Sequence, residues 1–512
     1  MQHPTLDRRR FLGIAAGTGA VALAAACGTG PEPAAAPRAG GRLRAVFAGG
    51  GAREVLDPHR ANLFVEAARA KALYDKLADL GSDVAPRPRL AERWEPDPSL
   101  TRWRITLRQA VFHDGRPLRA ADVLASYARI LDPAQALRAR SSLAVIDLAA
   151  SRAVDDRTVE FALRRPFVEF PNVLAAFGAY IVPEGHTDFD RPNGTGPFAF
   201  RTFEPGRSTL LARFADHWDG APHLDELEFL LANEESARIN ALLGGQVEYA
   251  HDLSATTARS HEAGGRVAVV RSANSLAHGF AMKLDRPPFD RRELREALFL
   301  LTDRQQLVDS VLSGAGQVGN DLFGRGYQYY DDAIPQRTVD LDRARALVRA
   351  AGADGARIDL LTSTASAGMV EAATVLADQA RAAGLTLNVV QGNKDTYWAD
   401  TLNTGALTSF RSGTMPIETH IAQRLLGGAS NNVTKWNRPE FDALYDTAVA
   451  TADPAARTEV YARMQRLLHS DGGYLWWGFG ESIVGTARSV SGVASAPANT
   501  LDWARFDKVW MA

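Results

Sequence analysis

Residues 88–133, PRLAERWEPDPSLTRWRITLRQAVFHDGRPLRAADVLASYARILDP, hold the clearest local pattern in the chain. Within them, TRWRITLRQ places Trp103, Ile105 and Leu107 on one face and arginine and threonine side chains on the other. A period of two is typical of a strand with one buried face. The tetrapeptide FHDG that follows ends on a glycine and indicates a turn. The stretch therefore predicts a strand and a turn that pack a lobe together with Trp94.

Similar alternation predicts strands at 41–49 (GRLRAVFAG) and 157–165 (RTVEFALRR). Further on, ARIDLLTS (356–363) and LTLNVV (385–390) have strand character, and VEAATVLADQARAAG between them has helical spacing. This strand–helix–strand order is typical of a mixed α/β domain.

Helix signals dominate the second half of the chain. Asp290 with Glu293 resembles a capping box, and Gly314 is a suitable stop for the apolar-periodic segment that follows it. Gly352 ends the pattern DLDRARALVRAAG, and Asp453, followed by proline, is a suitable N-cap for another helix. These boundaries predict helices that cover the sheet of the α/β domain.

No motif in the sequence indicates catalysis. The match GAGQVG at 314–319 follows a predicted helix, whereas dinucleotide binding needs a strand before that motif, so a helix cap and a loop are favoured. The eleven histidines are scattered, and no Walker, G-x-S-x-G or H-E-x-x-H sequence occurs. A formal net charge of −2 argues against a nucleic-acid partner.

The N-terminal stretch LDRRRFLGIAAGTGAVALAAACGTG (6–30) has the parts of an export signal. Arg8 and Arg9 fit a twin-arginine signal, and Leu23-Ala24-Ala25-Ala26 before Cys27 resembles a bacterial lipobox with its leucine one place early. We predict a lipoprotein signal peptide at 1–26, lipidation of Cys27, and a Pro/Ala-rich tether at 27–39. Cleavage after an Ala-x-Ala site, which leaves a free thiol, is the alternative. Cys27 is the only cysteine, so no intrachain disulfide can form.

Several stretches in order resemble one family. Residues 88–133, residues 193–229 around Gly194-Thr195-Gly196-Pro197, ALLGGQVEYA (241–250) and RPPFDRRELREALFLLTDRQQLVDSVLSGAG (286–316) are similar to blocks of the solute-binding proteins of the peptide, nickel and opine class. These are the family 5 receptors of ABC importers. The resemblance runs from about residue 40 to the end of the chain.

The resemblance implies an α/β, two-lobe periplasmic-binding-protein-like fold of type II, with an extra subdomain inserted in the first lobe. Lobe I should comprise 40–66, 192–280 and 481–512, the insert 67–191, and lobe II 281–480. The chain should cross the hinge near Ala281 and near Gly480. A solute should lie between the lobes and be enclosed when they close.

Peptide-binding members use an aspartate of lobe II to hold the ligand amine. The corresponding stretch here, LTSFRSGTMPIETHIAQRL (407–425), contains no aspartate and offers Arg411, Ser412, Glu418 and His420. We predict that Arg411 pairs with a ligand carboxylate, because a guanidinium forks onto one with two parallel hydrogen bonds. A surface or interlobe salt bridge is the alternative.

Aromatic residues and glycines near the predicted cleft are the other candidates. Adjacent tryptophans on a strand face opposite ways, so one of Trp476 and Trp477 should line the cleft and the other should pack inside. The glycines would let the backbone approach a ligand, or would form a flexible turn. The full set of further candidate contacts is Phe410, Tyr397, Trp398, Trp476, Trp477, Gly49 and Gly50.

We therefore expect a substrate-binding lipoprotein of an ABC importer that performs no chemistry and uses no cofactor or metal. Its ligand should be a small peptide-like or opine-like carboxylate, and its partners the permease and ATPase subunits. It should be a monomer anchored to the membrane outside the cytoplasm. The alternatives are a nickel-chelate or metallophore receptor, a receptor that feeds a sensor, and a cell-surface hydrolase such as a peptidase.

Overall fold

The computed structural model describes residues 36–262, 264–394, 396–429 and 431–512. The predicted signal peptide at 1–26 with Arg8 and Arg9, the lipidation site Cys27 and most of the tether at 27–39 lie outside these residues. Within the described ranges, every helix is too short or too polar to cross a bilayer.

The strands of the described residues are, in chain order, β1 (Arg42–Phe47), β2 (Ala78–Leu80), β3 (Pro86–Pro88), β4 (Ala91–Pro96), β5 (Arg102–Leu107), β6 (Ile146–Asp155), β7 (Thr158–Leu163), β8 (Phe198–Glu204), β9 (Ser208–Arg213), β10 (Glu226–Leu231), β11 (Tyr249–Ala250), β12 (Val267–Met282), β13 (Gly316–Val318), β14 (Arg357–Thr362), β15 (Thr386–Gln391), β16 (Leu407–Gly413), β17 (Tyr474–Ala487), β18 (Val490–Ser491) and β19 (Trp510–Met511).

The α-helices of the same residues are α1 (Phe64–Leu73), α2 (Ala120–Leu131), α3 (Arg140–Leu143), α4 (Phe170–Leu174), α5 (Glu235–Leu243), α6 (Ala255–Glu262), α7 (Arg292–Leu301), α8 (Arg304–Val311), α9 (Leu341–Ala350), α10 (Met369–Arg381), α11 (Ile417–Arg424), α12 (Pro439–Ala450) and α13 (Pro454–Asp471).

Two long antiparallel strands, β12 and β17, form the middle of the main sheet. The strand order is β15-β14-β16-β12-β17-β11-β1-β10-β9-β8, and β13 adds to β17. Residues Val267–Ser272 of β12 pair with the C-terminal half of β17, and Leu276–Ala281 pair with its N-terminal half. The register breaks between Ser272 and Leu276, where β17 passes through Glu481. At this break, both long strands pass between the half of the sheet that contains β16 and the half that contains β11. The lobe and insert boundaries remain predictions.

The strand in the opening stretch is confirmed as β5, in a four-stranded antiparallel sheet ordered β4-β5-β7-β6. Ile105 and Leu107 are fully buried, and the Trp103 ring packs 5.6 Å from that of Phe170. One hydrophobic cluster contains these side chains together with Phe410 and others from 397–479. The predicted insert therefore packs directly against the second half of the chain.

Helix boundaries agree with the sequence at several caps and differ at one. The carboxylate of Asp453 accepts a hydrogen bond from the backbone N–H of Ala456, and Gly352 follows α9 with φ +61°. The predicted capping box at Asp290 is wrong: the N-cap of α7 is Arg291, without a side-chain hydrogen bond. A second N-cap, Asp303, starts α8, because its carboxylate accepts from the N–H of Gln306.

The motif at 314–319 differs in part from its predicted conformation. Gly314 follows α8 with φ +74°, as expected of a helix stop. The residues after it form strand β13 and not a loop, since Gly316, Gln317 and Val318 pair with the Gly478–Gly480 part of β17. No strand precedes the motif to support dinucleotide binding, because α8 does.

Gly194 and Gly196 are glycines because the backbone of α1 approaches them closely. A Cβ on Gly194 would lie 2.0 Å from the carbonyl oxygen of Leu73, and one on Gly196 would lie 2.5 Å from the carbonyl carbon. The N–H of Gly196 donates to that same Leu73 oxygen at 3.0 Å. This contact joins the stretch that follows the predicted insert to the last residue of α1, the helix within which the predicted insert begins.

Candidate functional site

Arg411 lies in the middle of β16 and joins two separate parts of the chain. Its Nη2 donates to Oδ1 of Asp252 at 3.1 Å, and its Nη1 donates to the hydroxyl of Ser366 at 2.7 Å. Asp252 follows β11 and has φ +56°. The side chain of Arg411 is 7% exposed. The predicted contact with a ligand carboxylate stays a prediction, and the structure shows Arg411 in the ion pair that was its alternative.

Two histidines lie around this ion pair. His278 of β12 is directly opposite Arg411 in the strand register, and His251 precedes Asp252. Burial, and then the charge of Arg411, lowers the pKa of His278 to about 3, so this ring is neutral. Burial would raise the pKa of Asp252, but the Arg411 charge and other cationic neighbours bring that pKa down to about 2. The pair is therefore a full ion pair at neutral pH.

The adjacent tryptophans of β17 lie on opposite faces of the sheet, as their position in a strand requires. The ring of Trp476 lies 5.6 Å from that of Phe410 and 5.1 Å from that of Tyr474. Trp477 contacts His278 on the other face, at 5.2 Å. The alternation is confirmed, and Trp476 is on the face that packs against the predicted insert.

The Trp476 face forms one wall of an aromatic chamber. The ring of Phe323 stacks on that of His420 with centroids 4.1 Å apart and planes 8° apart, and it lies 5.7 Å from that of Trp476. A cavity of about 30 Å³ opens between these groups. Its lining includes Phe323, Ile417, His420, Trp436, Tyr474 and Trp476. Flat, rigid rings bury a large area with little loss of side-chain entropy, and here they face a space with room for one or two water molecules.

Polar atoms without hydrogen-bond partners among the described residues lie beside the chamber. Nε and Nη1 of Arg424, Nδ1 of His420 and the hydroxyl of Tyr474 are buried and have no hydrogen-bond partner among the described residues. The guanidinium of Arg424 lies 5.2 Å from the centre of the Phe410 ring. Burial, and then the Arg424 charge, lowers the pKa of His420 well below its usual value, so its imidazole is neutral.

The remaining residues predicted to contact the ligand differ in whether their polar groups are already hydrogen-bonded within the protein. The Tyr397 hydroxyl is already used, since it donates to the Ser409 carbonyl at 2.7 Å, and the Ser412 hydroxyl donates to the Gly413 carbonyl at 3.1 Å. Trp398 is half-buried, with its ring 6.5 Å from that of Phe410. Of the predicted set, Phe410, Trp398 and Trp476 are therefore brought together.

The Gly49 and Gly50 amides also have protein partners. The N–H of Gly49 donates to Oδ1 of Asn233 at 2.8 Å, and that of Gly50 donates to Oε1 of Glu54 at 2.7 Å. A Cβ on Gly49 would lie 2.3 Å from the same Glu54 oxygen. Close packing within the chain is thus one reason for glycine at this position.

Sequence reasoning missed Arg424, Tyr474 and Phe323. His420 and Arg424 are four residues apart on α11 and so share a helix face, which was the available signal. Tyr474 and Phe323 come from β17 and from the chain after β13, and only the fold brings them to α11.

The chemistry of the region suits binding. Across the described ranges, no group of three or more His, Cys, Asp or Glu side chains could hold a metal ion. The region offers aromatic faces, neutral polar groups and a guanidinium without a partner carboxylate. Such a surface recognises the shape and the negative charge of a solute.

Comparison with known proteins gives a consistent result. The sequence profile of the bacterial extracellular solute-binding proteins, family 5 (middle), matches residues 85–425. The glutathione-binding protein GsiB of Salmonella typhi is 29% identical over 315 residues, which cover 60% of this chain and 61% of GsiB. The chain therefore matches less than two thirds of the length of this curated relative.

Solved structures resemble the chain over most of its length. The PBP AgaA from A.tumefacien R10, in complex with agropinic acid, has a TM-score of 0.82 and 24% identity, and the match covers 92% of this chain and 99% of AgaA. The periplasmic binding protein DppA from Helicobacter pylori, in complex with the peptide STSA, has a TM-score of 0.83 and 20% identity, covering 93% of this chain and 99% of DppA. At these identities, the likeness concerns the fold.

Proposed function

Because the chain belongs to the bacterial extracellular solute-binding proteins of family 5 and has the two-lobe, type II fold of periplasmic binding proteins, we propose that it is the substrate-binding component of an ABC importer. It captures a small peptide-like or opine-like solute that carries a carboxylate, encloses it between its lobes and delivers it to the membrane permease. The match of the family profile over 85–425 carries this proposal.

The site supports a solute of this class. The aromatic chamber offers ring faces to an apolar part, and the unpaired nitrogen atoms of Arg424 supply donors for an anionic part. Glutathione, in the name of GsiB, and agropinic acid, in the complex of AgaA, both carry carboxylates. Closure around such a solute is a hinge motion in which the solute stabilises the closed state.

The protein works by reversible binding. The family consists of solute-binding proteins, and we propose that this chain returns its solute unchanged. A cell-surface peptidase would instead cleave a bound peptide, so recovery of the intact solute after prolonged incubation separates the two functions.

We also propose where the protein acts. The signal at 1–26 directs export, Cys27 carries the lipid anchor, and the tether at 27–39 holds a monomeric receptor at the outer face of the membrane. The permease and ATPase subunits of the importer are its partners there.

A thermal-shift screen of the full protein as isolated from its producing cells tests the function. The probes are glutathione, agropinic acid, the peptide STSA, a nickel–histidine chelate and a neutral sugar. A solute at a hundred times its dissociation constant adds about 2.7 kcal/mol to the free energy of unfolding. We expect a rise in the melting temperature with at least one carboxylate-bearing probe. A rise with the chelate alone would favour a metallophore receptor, and no rise with any probe would contradict the proposal.

A further inference from the structure

The residues that lead into α4 join the predicted insert to helices α12 and α13. The backbone N–H of Val168 donates to the carbonyl oxygen of Val449 on α12 at 2.8 Å. The hydroxyl of Tyr461 on α13 donates to Oε2 of Glu169 at 2.9 Å. Two consecutive residues of the insert therefore carry a main-chain and a side-chain hydrogen bond across this interface.

Two carboxyl groups are buried here, one from each side of the interface. Glu169 is the N-cap of α4 and is 8% exposed, whereas Glu418 lies in the first turn of α11 and is 3% exposed. Oε1 of Glu418 accepts from the Tyr445 hydroxyl at 2.6 Å, and Oε2 accepts from the Thr419 hydroxyl at 3.0 Å. These hydroxyl groups satisfy hydrogen bonds but do not neutralise the charge of a buried carboxylate.

Arg457 is the cation beside Glu169, and it donates to other groups. Its Nε lies 3.8 Å from Oε1 of Glu169, a distance too long for a hydrogen bond. The same Nε donates to the Tyr329 hydroxyl at 2.8 Å, and Nη1 donates to the carbonyl oxygens of Thr451 and Ala452 at 2.7 and 3.1 Å. Arg457 therefore compensates the charge of Glu169 only in part.

The formal charges of this interface balance when one carboxyl group is protonated. Arg165 of the insert lies 5.2 Å from the centre of the Tyr445 ring and forms an ion pair with Asp446 of α12. Burial keeps the tyrosine hydroxyls uncharged by raising the pKa of Tyr329, Tyr445 and Tyr461. The charged groups are three carboxylates and two guanidinium groups, those of Glu169, Glu418, Asp446, Arg165 and Arg457. Their net charge is −1, and a single proton removes it.

That proton binds more tightly when the two sides are in contact. Burial raises the pKa of Glu169, and burial followed by the charge of Glu169 raises the pKa of Glu418 to about 7. The second cause acts across the interface, because Glu169 belongs to the predicted insert and Glu418 to α11. When the insert and α11 part, this repulsion is lost and water reaches both groups. The pKa of Glu418 should then return towards its ordinary value.

We infer that the interface is a proton-operated latch: one proton held by Glu169 and Glu418 together favours contact of the predicted insert with helices α11, α12 and α13, and loss of the proton loosens that contact. A group that binds a proton more tightly in one conformation stabilises that conformation as the pH falls. Where it concerns the solute, the inference rests on the proposed function. Because the same contact closes the protein around its solute, capture should be stronger in a mildly acidic medium.

Hydrogen exchange of the full protein without added solute tests the latch at the amide of Val168. Mass spectrometry of peptides that contain Val168 gives its exchange rate at pH 5.5 and pH 8, and the proteins are compared at the same pH. Glu418→Gln and Glu169→Gln keep a hydrogen-bond acceptor and cannot ionise. Glu459→Gln is the control, because Glu459 is an exposed glutamate of α13 paired with Arg466 at 2.7 Å. The amides of β5, inside the predicted insert, report unfolding of the insert itself.

At pH 8 we expect the Val168 amide of the wild type to exchange at least tenfold faster than that of Glu418→Gln and at least threefold faster than that of Glu169→Gln. At pH 5.5 the wild type and Glu418→Gln should agree within twofold, and Glu459→Gln should match the wild type at both pH values. Val168 should exchange faster than the amides of β5, because the latch opens without unfolding of the insert. Calorimetry with STSA should show at least tenfold weaker binding by the wild type than by Glu418→Gln at pH 8, and equal binding at pH 5.5.

Three results would overturn the inference. The first is a Val168 amide that exchanges equally fast at pH 8 in the wild type and in both glutamine variants of the pair. The second is a Val168 amide that exchanges only as slowly as those of β5, since the contact would then open only when the insert unfolds. The third is equal affinity of the wild type and Glu418→Gln for STSA at pH 8, which would separate the proton from solute capture. If none of the proteins binds STSA, the proposed peptide-like ligand is wrong, and the exchange rates alone decide whether the latch exists.

Discussion

Arg411 and Asp252 form an ion pair, with Nη2 3.1 Å from Oδ1, between the centre of β16 and the segment that follows β11. The two strands lie on opposite sides of the β12–β17 pair in the main sheet. The ion pair therefore spans the middle of the sheet, near the register break between Ser272 and Leu276. It joins the segment after β11 to the centre of β16, so it connects the two halves of the main sheet.

Replacing Arg411 distinguishes a structural ion pair with Asp252 from a contact with a ligand carboxylate. Arg411→Ala leaves the carboxylate of Asp252 without its main cation, so we expect a loss of about 2 kcal/mol in the free energy of unfolding at pH 7, at about 1.4 kcal/mol per unit of pKa. Because the pKa of Asp252 is lowered from 3.8 to about 2, this stabilisation is present above pH 4 and disappears as the pH falls through about 2. Urea unfolding at several pH values measures it.

Asp252→Asn is the matched control for ligand binding. If Arg411 exchanges Asp252 for a ligand carboxylate, Arg411→Ala weakens binding of the acidic probe at least tenfold, and Asp252→Asn leaves it unchanged or stronger. A change of less than twofold in Arg411→Ala would remove Arg411 from the binding site and leave it as an ion pair between the halves.

Because the carboxyl group of Glu418 is buried, we expect it to make the folded protein less stable as the pH rises towards neutrality. Its Oε1 accepts a hydrogen bond from the Tyr445 hydroxyl at 2.6 Å, and burial, followed by the charge of Glu169, raises its pKa from 4.5 to about 7. A carboxyl group whose pKa is raised in the folded state stabilises that state in its protonated form, so this stabilisation is lost as the pH rises from 4.5 to about 7.

Glu418→Gln tests this directly. Glutamine keeps an acceptor for Tyr445 and cannot ionise, so we expect the variant and the wild type to be similarly stable at pH 4.5. At pH 8 the variant should be more stable by about 3 kcal/mol, from about 1.4 kcal/mol per unit of pKa. Chemical unfolding at the two pH values gives the difference. Equal stability at pH 8 would show that Glu418 ionises at its ordinary pKa.

Gly194 should tolerate no side chain. In Gly194→Ala the new Cβ would meet the carbonyl oxygen of Leu73 at 2.0 Å, and a backbone atom at the end of α1 cannot move aside as a side chain can. We expect a loss of about 3 kcal/mol in the free energy of unfolding, the upper part of the range for overpacking. Gly428→Ala is the control, because its Cβ would have no atom within 4 Å. Similar stability of the two variants in urea would contradict this packing.

The lipid proposed on Cys27 should hold the protein at the membrane. We expect Cys27→Ser to move the protein from the membrane fraction to the soluble extracytoplasmic fraction, since serine cannot carry the thioether-linked lipid. Gly28→Ser changes the neighbouring residue and should leave the protein in the membrane fraction. Fractionation followed by immunoblotting measures both. Release of the wild type itself would favour cleavage after Ala-x-Ala without lipidation.

Local signals in the sequence were sufficient for much of the fold. The alternation around Ile105 predicted β5, and the aspartate–proline start at Asp453 predicted the N-cap of α13, because both depend on neighbouring residues. The capping box predicted at Asp290 was wrong. The structure begins α7 after Arg291, and Thr302 and Asp303 interrupt the helical pattern that continues into α8.

The site was less predictable, since its groups are brought together by pairings that are distant in the chain. Trp476 could be placed on one face of β17 from strand periodicity alone. The partners of Arg411 could not be predicted, because Asp252 is 159 residues away and reaches it only across the sheet.

The register break in β12 also determines how relatives of this protein can be recombined. Each half of the main sheet is completed by one half of β12 and one half of β17. The half that contains β16 is a continuous piece of the chain from Leu276 to Gly480, whereas the half that contains β1 combines residues up to Ser272 with residues from Ser482 onward. A chimaera that borrows the solute preference of another receptor therefore needs two splice points, one between Ser272 and Leu276 and the other at Glu481. A single splice would leave the donor half with only one of its two central strands.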